Sequence, residues 1–320
     1  MQNTPDQTPI TMEDLQQCPL CHCPDLDFAF SCRDHLVSHE LFHVKQCGQC
    51  GVRMTSPRPS VQDIGKYYQS ADYISHADHP PGLVGRIYLI IRRYMVGRKS
   101  RIIRKELKKN ALVVDIGCGT GSFLEACHDM GYKTIGVEPG GTARELAIKK
   151  GLEVVPDESW LDEGAGESPG AITLWHVLEH MHLPVSALQR YRRLLPGDGL
   201  LLVAVPMSGS FDARFYGSRW AAYDVPRHLF HFDQHDLIDT LAGQGFVLEA
   251  RHGLFFDSFY VCLLTEQQEG RLWRPLGVLR ALWVATLSNL LAMLRIRPWS
   301  SQVFLFRKSF PGRQHPSATC

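Results

Sequence analysis

Short runs of β-branched and aliphatic residues alternate with stretches of helical periodicity through the last two thirds of the chain. Leu112 to Ile116, Lys133 to Glu138, Leu152 to Val155, Ala171 to His176, Leu200 to Val205, Phe246 to Arg251 and Gln302 to Arg307 predict strands. Helices are predicted to begin between them near Ser122, Thr142, Pro184 and Asp233. Strand and helix in alternation point to an α/β domain with a mostly parallel sheet covered on both faces.

Two further helical segments flank this pattern. From Arg86 to Lys109 ten Lys or Arg stand against the single acid Glu106, with Ile87, Ile90, Ile91, Tyr94, Ile102, Ile103 and Leu107 in a helical rhythm. Such a helix packs on the main domain with a solvated basic face, or lies on an anionic surface. Between the sixth and seventh strands, Leu276 to Leu294 is long and apolar enough for a membrane span, but Arg280 and Asn289 interrupt it. A single crossing would also strand the final β-segment on the wrong side of the bilayer. Gly277, Arg280, Ala281, Ala285, Ser288, Asn289 and Ala292 trace a small or polar face opposite a wide apolar one. That apolar face needs a cover: the domain itself, a second subunit in a homodimer, or the membrane interface.

Composition narrows the picture. At 320 residues with 44% apolar and 21% charged content, the chain buries a full core with room for a small appendage, and its net charge of +1 gives no global pull toward nucleic acid. The polar, acidic start from Met1 to Gln17 lacks the apolar core of a secretory signal, so ten cysteines are expected in a reducing, cytoplasmic setting. There, paired cysteines hold metal more often than they crosslink. Cys18-Pro19-Leu20-Cys21 and Cys47-Gly48-Gln49-Cys50-Gly51 are separated by 25 residues and read as two knuckles of a structural zinc site. Cys23, Cys32, His35, His39 and His43 lie between them as alternative ligands. The expected organisation is a disordered start over 1–16, a zinc-ribbon-like module over 17–56, a linker with the basic helix over 57–110, a main domain over 111–310 and a disordered tail over 311–320. Within the main domain, 206–232 is expected to form a lid and 255–296 an apolar helical insertion.

The first core strand runs into Gly117-Cys118-Gly119-Thr120-Gly121 and then a helix from Ser122. Glycines let a ligand approach the backbone, and the helix start offers free N–H groups. A dinucleotide fingerprint would carry a third glycine at position 122, where Ser122 stands, and no Walker lysine follows. The second strand ends Gly136-Val137-Glu138-Pro139, placing a carboxylate where it can accept both hydroxyls of a ribose. Loop and acid together specify a nucleoside.

These motifs, with LWHVLEH closing the fourth strand, resemble those of class I S-adenosylmethionine-dependent methyltransferases over about residues 110 to 310. The resemblance implies a Rossmann-like, seven-stranded, doubly wound sheet with an antiparallel last strand. It assigns Asp115, Gly117, Gly119 and Gly121 to the methionine part of the cofactor, with Cys118 in the same loop. It gives Glu138 the ribose, with Pro139 next to it as a further cofactor contact, Trp175 and His176 a place under the sulfonium, and Asp157 the adenine. The CPxC and CxxCG knuckles, the Pro-Arg-Pro linker and Tyr223-Asp224-Val225-Pro226-Arg227-His228 are similar to a bacterial group of zinc-bearing methyltransferases that includes sugar C-methyltransferases. The sugar enzymes carry a shorter Tyr-Asp-Glu-His form, so the acceptor is open among small molecules, carbohydrates and lipid-linked compounds.

Methyl transfer is an in-line displacement at an activated carbon, so the protein aligns a nucleophile and takes its proton. His228 is the first candidate for that role, His180 the second, with Tyr223 and Arg227 in support. His180 and Glu179 could equally cap the helix after the strand, and Arg227 and His228 could tie down the lid. Many amino and nucleobase methyltransferases close the fourth strand with Asn or Asp before Pro-Pro and an aromatic; Trp175-His176-Val177-Leu178 departs from that, which favours oxygen or carbon nucleophiles. An RNA-binding methyltransferase and a non-catalytic cofactor-binding scaffold are the alternatives. Peripheral attachment to the inner face of the membrane would suit a lipid-linked acceptor.

Overall fold

The computed structural model describes residues 10–68, 82–161, 167–270 and 275–309. Tyr73, the Pro80-Pro81 break, residues 1–9 and the tail from 311 lie outside them. Met12–Glu13 (β1), inside the stretch expected to lack structure, pairs antiparallel with Arg58–Pro59 (β5).

Leu26–Arg33 (β2), Leu41–Cys47 (β3) and Arg53–Thr55 (β4) form an antiparallel meander around the cysteine knuckles. Its fourth strand comes from far along the chain: Phe230–His231 (β11) pairs with β4, giving the order β11-β4-β3-β2. The knuckle module and the segment expected to be a lid therefore share one sheet.

The main sheet has Leu112–Ile116 (β6), Lys133–Val137 (β7), Val154–Val155 (β8), Ala171–Trp175 (β9), Leu200–Pro206 (β10), Phe246–Gly253 (β12) and Ser301–Lys308 (β13). The strand order is β12-β13-β10-β9-β6-β7-β8, with β13 antiparallel to both neighbours and the pairs among β6 to β10 parallel. Each strand lies where the apolar runs predict it. Continuous Leu, Val and Ile runs suit strands buried on both faces, and Leu200 to Val205 are fully buried.

Helix starts follow local chemistry. Asp233 and Asp236 form a reciprocal capping box for Gln234–Gly243, and Pro184 occupies the first turn of Pro184–Leu194, where its missing N–H costs nothing. The basic helix runs from Gly82 to Glu106, buries Ile103 and meets helix Ser122–Asp129.

The helix Pro275–Met293 turns its small face inward. Ala281, Val284, Ala285, Ser288 and Asn289 are buried, while Leu276, Leu279, Trp283, Leu290 and Met293 are exposed. Polar anchors on that face explain this: Ser288 donates to buried Asp212, and Asn289 accepts from Ser258 and donates to the Phe255 carbonyl. Arg280 pairs with the buried carboxylate of Glu266. Among the described residues, then, the domain does not cover the wide apolar face, and the chain returns from this helix to β13, between β12 and β10.

Candidate active site

The glycine turn follows β6 in the left-handed region that glycine favours, with φ of 67°, 56° and 77° at Gly117, Gly119 and Gly121. A Cβ on Gly117 would lie 2.6 Å from Val177 Cγ2, and one on Gly121 would lie 2.4 Å from Leu152 Cδ1. Gly119 faces open space. The turn is thus packed from behind and bare in front, a cradle for a ligand that must touch backbone.

Glu138 closes it. One carboxylate oxygen accepts from the Gly119 N–H at 2.8 Å and the other from the Gly140 N–H at 2.7 Å. A carboxylate has about four lone-pair sites, so both oxygens keep capacity for a ribose diol. Pro139 and Asp157 line a cavity of about 710 Å³ together with Gly117, Val137, Val177 and Met181. Asp157 caps the next turn by accepting from the Ser159 N–H at 2.8 Å, an interaction that holds its carboxyl below the usual range. Glycine turn, acid and cavity fit a nucleoside with a charged tail.

Asp115 is buried at the end of β6 and accepts from the Thr173 hydroxyl. Burial pushes its carboxyl up to about 7, against the pull of the Thr173 hydrogen bond and of Lys99. Lys99, from the basic helix, holds its ammonium 4.4 Å from the centre of the Trp175 ring. Burial lowers its pKa, while Asp257 and Asp115 oppose the shift. The Trp175 ring packs edge-on against Phe123, and its buried Nε1 has no hydrogen-bond partner among the described residues. Sequence reasoning missed Lys99 and Asp257. A signal for the lysine existed: position 99 falls on the apolar stripe of the helix, four residues before Ile103 and four after Met95.

His176 follows β9 with a φ of 58°. Its Nδ1 lies 3.4 Å from Glu179 and its Nε2 lies 3.5 Å from Asp257. Burial disfavours the charged ring, but Asp257 and Glu179 outweigh it and raise the pKa to about 9. Burial likewise works against the Glu179 carboxylate, yet His176, His180 and His228 hold it below the usual range.

His180 and His228 come together with ring centres 4.5 Å apart, although 48 positions separate them. His180 Nδ1 lies 3.0 Å from the Arg227 carbonyl and 2.9 Å from the Tyr68 hydroxyl. His228 Nδ1 donates to the Ala222 carbonyl at 2.8 Å. Burial first, and then the neighbouring His228, push His180 down to about 4. Tyr223 is not gathered with this pair: its ring sits among Phe30, Trp220 and His231, and burial raises its pKa to about 12. Arg227 is fully buried and bonded to Asp224, to Asp34 of the knuckle module and to the Tyr67 carbonyl.

The sulfurs of Cys18, Cys21, Cys47 and Cys50 all lie within 4.8 Å of one another, with Cys18 to Cys50 at 3.7 Å and Cys21 to Cys47 at 3.5 Å. Four sulfurs held about 2.3 Å from a tetrahedral zinc are roughly 3.8 Å apart, so the set fits that ion. Gly51 turns behind the second knuckle with a φ of 75°.

Strand order and glycine turn together define a class I methyltransferase fold. A family model described as a methyltransferase domain matches residues 90–251, half of the chain, and the chain belongs to that family. An uncharacterized protein of Methanocaldococcus jannaschii is 30% identical over 133 residues, 42% of this chain and 49% of that protein. A ubiquinone biosynthesis O-methyltransferase of Aeromonas salmonicida is 29% identical over 99 residues, 29% of this chain and 42% of that one. The match therefore spans half or less of these curated relatives. Among solved structures, magnesium protoporphyrin IX methyltransferase of Synechocystis PCC 6803 shares the fold at a TM-score of 0.51 and 12% identity, over 78% of this chain and 100% of that one.

Proposed function

We propose that this chain transfers the methyl group of S-adenosylmethionine to a hydroxyl oxygen of a small, apolar or lipid-linked acceptor. The observation that carries this is the pairing of a bare glycine turn, clasped by Glu138, with a histidine pair beyond the carboxyl end of β9, the strand that lies beside β6. Bound in the turn, the cofactor supplies an electrophilic methyl on positively charged sulfur. Glu138 takes the ribose hydroxyls, Asp157 and Pro139 border the adenine, and the bare backbone around Gly119 meets the methionine tail. Lys99 neutralises that tail's carboxylate, and the Trp175 ring face lies beside the cation it prefers. The acceptor enters from the side of His180 and His228, which the lid residue Arg227 fixes to the knuckle module. There its hydroxyl loses a proton as oxygen attacks, giving a methyl ether, S-adenosylhomocysteine and one proton.

Two observations favour an apolar oxygen nucleophile. Relatives with assigned names are ubiquinone biosynthesis O-methyltransferases, and the exposed leucines of helix Pro275–Met293 offer a surface for a greasy acceptor or the membrane holding it. The cysteine cluster holds zinc as a structural ion in this scheme, because four protein ligands leave no open position.

Following S-adenosylhomocysteine release against a panel of phenolic, lipid-linked and sugar hydroxyl acceptors tests the proposal. The expected product is a methyl ether from the apolar members, with His228→Ala lowering turnover. Turnover confined to amine acceptors, or none at all while cofactor binds, would refute it.

A further inference from the structure

In the short turn that follows β9, Glu179 is 1% exposed, and neither of its carboxylate oxygens has a hydrogen-bond partner among the described residues. Leaving a buried carboxylate unsatisfied costs several kcal/mol unless a cation answers it. The nearest positive group is the His176 ring, with Nδ1 3.4 Å from Oε1, longer than a charge-assisted hydrogen bond. Next to Glu179 stand His180 and His228, and one donor atom of each of the three residues lies within 4.8 Å of the other two.

Both imidazoles are prepared as ligands. His228 Nδ1 donates to the Ala222 carbonyl, and His180 Nδ1 faces the Arg227 carbonyl, which can only accept, with the Tyr68 hydroxyl 2.9 Å from the same nitrogen. Each ring therefore carries its proton on Nδ1 and its lone pair on Nε2, the tautomer that outer hydrogen bonds impose on metal-binding histidines. Those carbonyls belong to the same 222–228 segment that Arg227 and β11 lock to the knuckle module. The donors are held by buried structure, not by flexible surface side chains.

We infer that Glu179, His180 and His228 form a second metal site, distinct from the four cysteines, which takes a divalent transition ion of the manganese, iron, cobalt or zinc type. Two imidazoles and one carboxylate suit such ions better than magnesium or calcium, whose sites are built from oxygen. Three protein ligands leave positions open, as catalytic sites do. This deepens the proposed function and rests on it for its chemical meaning. An ion held there would supply Lewis-acid chemistry, lowering the pKa of an acceptor hydroxyl so that its proton could pass to water as the oxygen attacks the methyl. The two histidines then act through the ion and do not accept the proton themselves. The acceptor class follows: a hydroxyl acidic or chelating enough to bind as the oxyanion, such as a phenol with a neighbouring oxygen.

Manganese is the probe, because it competes poorly for thiolates and leaves the zinc knuckles loaded. Full-length, zinc-loaded protein is titrated with Mn²⁺ while the electron paramagnetic resonance signal of free Mn²⁺ is followed, and S-adenosylhomocysteine binding is measured on the same samples. One Mn²⁺ per chain is expected, with affinity weakened about tenfold or more in His228→Gln and His180→Gln, and unchanged S-adenosylhomocysteine affinity in both. Should either variant fail to fold, wild-type protein carries the test through the stoichiometry alone. Absence of Mn²⁺ binding to folded wild-type protein that binds S-adenosylhomocysteine would overturn this inference and leave the methyltransferase proposal standing. Mn²⁺ binding without S-adenosylhomocysteine binding would do the reverse. Binding undiminished in both glutamine variants would place the ion elsewhere and also overturn it.

Discussion

Replacing Arg227 with Met tests whether the knuckle module is a structural part of the active site. The guanidinium is 1% exposed and spans three elements: it donates to Asp224 at 2.6 and 3.0 Å, to Asp34 at 3.1 Å and to the Tyr67 carbonyl at 3.1 Å. Removing one member of a buried ion pair costs about 3 to 5 kcal/mol. Two features place Arg227→Met at the lower end. Asp34 keeps the Leu36 and Ser38 N–H groups and the Ser38 hydroxyl, and Asp224 is exposed enough to hydrate. We therefore expect a loss of about 3 kcal/mol in urea unfolding at neutral pH with zinc saturating. Adding Asp34→Asn to Arg227→Met removes the stranded charge and should restore about 1 kcal/mol. S-adenosylhomocysteine affinity should hold in Arg227→Met, since the glycine turn lies on other elements, while the acceptor KM rises because His228 loses its anchor. A loss under about 1 kcal/mol, the range of an exposed ion pair, would refute the reasoning.

Removing zinc with a chelator should raise hydrogen exchange in residues 226–232 as well as in the knuckles, because β11 pairs with β4; exchange confined to residues 17–56 would contradict the shared sheet. Asp115→Asn should change stability with pH in a defined direction. Burial holds the folded carboxyl near pH 7 and the unfolded one near its ordinary value, so the wild type pays a growing ionisation cost as pH rises from about 4 to 7. The variant should gain on it by up to about 1.4 kcal/mol per pH unit over that window and level off above it. A flat difference across pH 5 to 7, read from denaturant midpoints, would show Asp115 already ionised.

The main sheet was legible because its strands are continuous aliphatic runs, a signal local to each segment. Even the last strand, Ser301–Lys308, announced itself two residues after Trp299 by Val303 to Phe306. The glycine turn and Glu138 were legible because ligand-contacting backbone demands residue types that nothing else demands there. The rest depended on partners distant in sequence. Arg227 and Asp34 are 193 positions apart, and no periodicity connects them. His180 and His228 stood out as reactive types, but only the fold shows that both are locked to carbonyls and that Glu179 beside them is unsatisfied. Tyr223 was misleading for the same reason: a tyrosine next to a candidate base reads alike whether it faces substrate or, as here, an aromatic cluster. The helix Pro275–Met293 revealed its two faces from spacing, whereas which of them turns inward was set by Asp212 and Ser258.

Isothermal titration of the intact protein with S-adenosylhomocysteine, beside Glu138→Ala, reaches the central claim most directly. One site per chain is expected, weakened tenfold or more in Glu138→Ala, since hydrogen bonds to a charged group contribute about 1.5 to 3 kcal/mol. No heat from folded wild-type protein, or equal affinity in the two, would contradict the account.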